Sequence, residues 1–307
     1  MFNAALSHRL FGPLMVLVAA TGFAFKAILI KILYAEFSID AETLLALRLL
    51  FALPFFILMA LLAGGSARAF SARDWRALVA LGFVGYYLSS YLDFLGLQYI
   101  SAGLERLILF LQPTIVVLLS AFLFKTAVRR HHLISIALSY GGIALVFASN
   151  LSLAQDPHAV LLGSGLVFLS ALAYACYLIG SGTVIPRMGA ARFTGYASII
   201  ACGFATGQFF ISHGIAGLAQ PAKVYWLSLT MAVVSTVLPI WLMAEGVKRI
   251  GASQVSMISA IGPVITIYLG WLILGEAVTA IQLTGALLVL AGVLLVGLRV
   301  ESLSAKS

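Results

Sequence analysis

Ten long apolar runs, at 11–33, 42–62, 76–97, 102–124, 132–149, 160–180, 194–213, 224–245, 252–274 and 279–298, make up most of the chain. A helix needs about 20 apolar residues to cross the hydrocarbon core of a bilayer, and all ten meet or approach that length. The fifth, 132–149, is the shortest. The runs are apolar on every face and lack the alternation of membrane β-strands, so helices are predicted throughout. The expected fold is all-α, a polytopic membrane protein with ten transmembrane helices.

Composition strengthens that reading. Of 307 residues, 63% are hydrophobic and 9% charged, whereas soluble domains carry about 25% charged residues. Lipid has to cover most of such a surface. The net charge of +8 does not indicate nucleic acid, because the basic residues form no stripe and sit in short loops between apolar runs. With the N-terminus in the cytoplasm, the inner side receives 13 Lys and Arg: Arg9, Arg68, Arg73, Arg76, Lys125, Arg129, Arg130, Arg187, Arg192, Lys248, Arg249, Arg299 and Lys306. The outer loops receive Lys223 alone. That imbalance predicts both termini in the cytoplasm. The first run is too long for a signal-peptide core and is followed by further spans, so no cleavage is expected. Cys176 and Cys202 lie inside apolar runs without metal-ligand spacing, and read as packing residues.

The halves resemble each other at a shift of 150 residues: Gly96 with Gly246, Ile100 with Ile250, Ala102 with Ala252, Pro113 with Pro263, Leu138 with Leu288, Gly142 with Gly292 and Val146 with Val296. Glycine and proline matches in one ungapped register carry more weight than Leu or Val matches. Each half, 11–149 and 160–298, holds five spans. An odd number turns the second copy upside down relative to the first. Inverted repeats with a midplane site between them are the architecture of alternating-access transporters.

The second half carries Gly246-Val-Lys-Arg-Ile-Gly-Ala-Ser-Gln-Val, then Gly262-Pro263, Leu274-Gly275-Glu276, Gly285-Ala286 and Ala291-Gly292-Val293. This series resembles the second EamA-type domain of the drug/metabolite transporter superfamily. The first half, from Gly96 through Pro113 to Gly141-Gly142, looks like a weaker copy, with Lys125-Thr126 where the Gly-Glu pair stands in the second. The resemblance implies ten helices and export of small polar metabolites across the bacterial inner membrane, and within the superfamily it is nearest to the aromatic amino acid exporters.

Several residues are candidates for function. Pro113 and Pro263 fall about halfway along matched spans, where proline kinks a helix, and are expected hinges. Pro54 and Pro239 are expected to break two further helices. Lys26, Arg48, Asp93, Glu105 and Arg106 are ionisable residues within or at the edge of spans, all mapping to the outer half of the first repeat. Such residues are costly in a membrane, so Arg48, Asp93 and Glu105 are read as a gate or charge network and Lys26 as a substrate contact, against plain snorkelling to the interface. Mid-span tyrosines need hydroxyl partners, which points Tyr86, Tyr87, Tyr91, Tyr174 and Tyr177 inward, with Ser90, Phe23 and Trp241 as further wall residues; core packing accounts for some of them. Ser253, Ser256 and Ser259 recur every three residues, and Ser256 is the substrate-binding candidate, although helix packing is the commoner use of such a face. Gly203 and Gly207 form a GxxxG pair read as close helix contact.

No HExxH, GxSxG or Walker motif is present, and no His–carboxylate cluster has metal-ligand spacing in sequence. The expectation is a non-enzyme without cofactor or metal, whose partners are a small-molecule substrate and the lipid bilayer. The leading reading is a secondary exporter of aromatic or large neutral amino acids, with a central cavity lined by spans one, three, four, six, eight and nine. The rivals are export of another metabolite or drug, and a non-transporting membrane protein such as an intramembrane enzyme or assembly factor.

Overall fold

The computed structural model describes residues 2–63, 71–125 and 130–304, with backbone alone for 2–10, 131, 252, 253 and 296–304. Arg68, Thr126, Arg129 and Lys306 therefore lie outside the described residues, as do the side chains of Arg9, Ser253 and Arg299.

The described residues are helical without strands. Helix α1 spans Phe2–Glu36 and α2 Ala41–Leu62. They are followed by α3 (Ala72–Gly96), α4 (Ala102–Phe124), α5 (Arg130–Leu153), α6 (Pro157–Met188) and α7 (Ala190–His213). The chain then forms α8 (Ala222–Gly251), α9 (Gln254–Leu274) and α10 (Ala280–Ser304). Nine helices among the described residues are long and apolar enough to cross a membrane, and α10 adds a shorter apolar section, Ala280–Leu295. The starts follow local chemistry. Asp40 caps α2 by accepting from the Thr43 N–H at 2.8 Å, Ser71 and Asp74 form a capping box on α3, and Ser101 caps α4.

The irregularities repeat at the sequence shift of 150. A π-helical stretch occupies Gly82–Leu88 in α3, and another occupies Val233–Val237 in α8. Helix α4 breaks at Phe110–Leu111 and resumes at Gln112–Phe124, while α9 breaks at Ala260–Ile261 and resumes at Gly262–Leu274. Pro113 and Pro263 stand in the first turn after these breaks, where the missing N–H removes no helix bond that the first turn would make. The resumed helices end in left-handed residues, Lys125 at φ 53° and Gly275 at φ 67°. Lysine bears there a conformation that glycine adopts freely.

Packing is reciprocal between the halves. Helix α3 packs on α6 as α8 packs on α1, α4 lies against α6 as α9 lies against α1, and α2–α7 and α5–α10 pair across the halves. Gly96 abuts Val167 of α6, and Gly246 abuts Val16 of α1, so the equivalence of α1 and α6 runs at 151 rather than 150. Gly142 of α5 lies so close to α10 that a Cβ would come within 2.6 Å of the Gly285 carbonyl oxygen. The core gathers where α1, α2 and α3 meet, around Ile28, Leu44, Phe94 and Leu97.

Three sequence expectations change here. Pro54 lies inside an unbroken α2; the lost hydrogen bond is tolerated without a change of helical assignment. Pro239 follows the π-helical stretch of α8 instead of ending a helix, since the wider turn already leaves backbone groups unpaired. Gly203 and Gly207 are exposed on α7 with nothing near a Cβ, so they make no close helix contact; glycines of different helices meet closely at α5–α10 and at α3–α6, where Gly96 faces Gly163.

Candidate functional site

A cavity of about 470 Å³ lies inside the bundle, within the size range of small-molecule sites. Its walls come from α1 (Phe23, Lys26), α2 (Arg48, Leu49, Phe56), α3 (Gly85, Tyr86, Ser89, Ser90, Asp93) and α4 (Arg106, Leu109, Gln112). The second half adds α6 (Ser170, Tyr174), α7 (Thr194, Ser198) and α8 (Ser235, Thr236, Ile240, Met243). Both π-helical stretches open onto it with residues 150 apart, Gly85 with Ser235 and Tyr86 with Thr236. A π turn widens the helix and re-aims side chains, a common device at functional sites. A groove of similar size, about 490 Å³, runs outside α9 and α10 and is lined by apolar residues including Val264, Trp271 and Leu287. Its chemistry suits a lipid chain, and it holds none of the polar groups of the inner cavity.

Lys26 is the centre of the charge network. Its Nζ lies 2.5 Å from Asp93 Oδ2 and 3.4 Å from Glu105 Oε1, joining α1, α3 and α4. Asp93 is 3% exposed and Glu105 0%. Arg48 Nε donates to Thr236 Oγ1 at 3.1 Å, and its guanidinium carbon stands 5.3 Å from the Phe94 ring centroid. The Arg106 guanidinium carbon lies 5.8 Å from the Phe110 centroid, beside the break in α9. On the α3/α8 and α4/α9 register, the charged Asp93, Glu105 and Arg106 correspond to the neutral Met243, Val255 and Ser256. The duplicated cavity is thus charged towards one end only. Past that end, Lys31 Nζ donates to the Leu97 and Ile100 carbonyls at 3.2 and 3.1 Å, and Glu276 accepts from the Ala102 N–H at 2.8 Å. These links tie α1, the α3–α4 corner and the α9–α10 loop together.

Of the residues singled out in sequence, Phe23, Lys26, Arg48, Tyr86, Ser90, Asp93, Arg106 and Tyr174 line the cavity. Glu105 lies behind the wall, reaching it through Lys26. Tyr177 backs it, its hydroxyl donating to the Tyr86 hydroxyl at 3.1 Å. Tyr87 and Tyr91 point elsewhere. The Tyr87 hydroxyl donates to Gln208 Oε1 at 2.7 Å, the Tyr91 hydroxyl donates to Glu42 Oε1 at 3.0 Å, and Gln208 Nε2 also donates to Glu42 Oε1, at 3.1 Å. These tyrosines find their hydroxyl partners at the α2–α7 contact. Trp241 is 57% exposed on the opposite side of α8, in a groove with Phe11 and Leu14. Ser256 is exposed and Ser259 is turned to Met243, so α9 gives the cavity no wall residue, while α2 and α7 do. The polar wall residues not marked in sequence include Ser170, Thr194, Ser198, Ser235, Thr236 and Gln112, beside apolar ones such as Leu49, Phe56 and Ile240. Each of the polar ones interrupts an apolar run, but so do many serines that only bond their own helix.

Asp40, Glu42 and His213 also come together, with ligand-type atoms within 4.8 Å of one another. His213 is 171 positions from Glu42, so sequence spacing could not reveal this group.

A bundle of membrane-length helices around a polar internal cavity defines a multi-pass membrane protein built to hold a small solute. The chain belongs to the EamA-like transporter family, part of the drug/metabolite transporter superfamily, which it matches over residues 10–148 and 161–298. It is 34% identical over 285 residues to the uncharacterized transporter YcbK of Bacillus subtilis, covering 89% of this chain and 88% of that one. It is 27% identical over 199 residues to a probable amino-acid metabolite efflux pump of Salmonella typhimurium, covering 62% of this chain and 66% of that one. A crystal structure with 17% identity superposes at a TM-score of 0.62 over 95% of this chain and 98% of that one, so the fold is shared. The chain is a transporter, not an enzyme.

Proposed function

We propose that this protein is a secondary exporter of amino acids, with aromatic or large neutral ones favoured, working by alternating access in the bacterial inner membrane. The observation that carries this is the cavity: aromatic walls from Phe23, Tyr86 and Tyr174 stand beside the charged Lys26, Asp93, Arg48 and Arg106. An amino acid has the same division, an apolar side chain and a charged head. The relative named as an amino-acid metabolite efflux pump supports the same substrate class.

The two halves cross in opposite directions in this reading, with ten spans and both termini cytoplasmic. The charged cluster then occupies the outer half of the cavity. Phe56, Thr194, Ile240 and Met243, which lie late in α2 and α8 or early in α7, line its inner half. The ties through Lys31 and Glu276 close the outer side. An outer side tied in this way fits a state that loads from the cytoplasm. The breaks at Pro113 and Pro263 act as hinges, because a helix interrupted at one turn bends there at low cost.

Flux in proteoliposomes tests the proposal. Labelled phenylalanine and tryptophan should move faster than threonine or a nucleoside, and more slowly after Tyr86→Ala. Equal rates for all four would refute the side-chain preference, and preferential nucleoside flux would favour the reading as exporter of another metabolite.

A further inference from the structure

The cavity and the carboxylate directly behind it contain three cationic side chains, Lys26, Arg48 and Arg106, and two anionic ones, Asp93 and Glu105. Both carboxylates lie against Lys26. Among the described residues, neither Arg48 nor Arg106 makes an ion pair with a carboxylate. Arg48 is held through Nε by Thr236, and the buried Nε of Arg106 has no hydrogen-bond partner. Arginine stays protonated under all ordinary conditions and does not relieve such a position by losing its proton. Charged side chains inside membranes are found paired, or lining the path of a charged solute. One positive charge in this cavity is unpaired, and two forked donors face it.

We propose that Arg48 and Arg106 form the subsite for an anionic group of the substrate, so that the transported solutes are carboxylates, amino acids among them and neutral amides or free amines not. Gln112 and Thr236, on the same walls, are the neighbouring neutral polar groups. The inference rests on the exporter reading and makes it narrower. The Arg106 guanidinium sits against the α9 break, where a Cβ added to Gly262 would lie 3.1 Å from Nη2. An anion on Arg106 is thereby placed next to the hinge at Pro263. The arrangement is one-sided, since the second-half counterpart of Arg106 is Ser256.

The test is equilibrium binding to the purified full chain in detergent, read as ligand-dependent thermal stabilisation. The probes share one scaffold: 3-phenylpropanoate carries only the carboxylate, phenethylamine only the ammonium, L-phenylalanine both, and L-phenylalaninamide lacks the carboxylate. The two carboxylates should bind at least about tenfold more tightly than the amine and the amide, the difference expected for one charge-assisted contact. Arg48→Gln and Arg106→Gln should each weaken 3-phenylpropanoate by about tenfold or more and should not weaken phenethylamine, whose ammonium is relieved of a neighbouring cation. Amine binding as tight as acid binding, no binding of either carboxylate, or full carboxylate affinity in both variants would each overturn the subsite. The comparison within the unsubstituted protein decides the matter even if a variant fails to fold. Flux of solutes without preference for carboxylates refutes this inference and leaves the exporter standing; absence of all flux refutes the exporter, whereas the binding preference is read without transport.

Discussion

Lys26→Met is the substitution with the most predictable consequence. It removes the cation that lies 2.5 Å from Asp93 and 3.4 Å from Glu105. At an effective dielectric of about 20, those separations correspond to gross attractions of about 7 and about 5 kcal/mol, before the desolvation that offsets most of them. The net loss is governed by what remains. Two carboxylates, 3% and 0% exposed, would stand without their cation, and breaking a buried pair from one side costs about 3–5 kcal/mol. The unfolding midpoint in detergent should fall by about 6–10 °C. Asp93→Asn alone should also destabilise, and the Lys26→Met/Asp93→Asn double variant should lose much less than the sum of the singles, because the pair is removed together. Midpoints within about 2 °C of the unsubstituted protein for Lys26→Met, together with additive single effects, would refute the network as a structural and electrostatic centre.

Four further outcomes follow from the same geometry. Gly142→Leu should destabilise by about 1–3 kcal/mol by forcing α5 from α10, whereas Gly203→Leu and Gly207→Leu, with open space at the Cβ, should not shift the unfolding midpoint. Glu276→Gln keeps the acceptor at the α4 N-terminus but loses its charge; a loss of about 0.3–1 kcal/mol in thermal unfolding is expected. Trp241→Ala and Ser256→Ala should leave the KM for transport unchanged, since neither residue reaches the cavity, and a several-fold change in flux assays would contradict the wall assignment. With Cys176 and Cys202 replaced, single cysteines at Arg130 and Asp156 should label from opposite faces of the membrane; labelling from one face would remove the odd-span count on which the inverted repeat depends.

The sequence by itself determined the helical membrane character and the duplication, because both are written in local pattern. An apolar run of bilayer length has one solution in lipid, and a shift that aligns Gly96 with Gly246 and Pro113 with Pro263 needs no coordinates to be seen. It also marked the charged residues, since Lys26, Arg48 and Asp93 are conspicuous in apolar surroundings.

Tertiary structure decided which way each side chain faces. A tyrosine hydroxyl in a span demands a polar partner, but that demand is met equally by a cavity, by Tyr86 for Tyr177, or by Gln208 and Glu42 for Tyr87 and Tyr91. The π-helical stretches rotate everything after them, so ideal helical spacing cannot carry a face assignment from Tyr86 through to Tyr91, or from Thr236 to Trp241. The pairings of Lys26 with Asp93 and Glu105, and of Arg48 with Thr236, join residues up to 188 positions apart. Only the packing of the helices against one another fixes which charges meet, and therefore which positive charge is left for a solute.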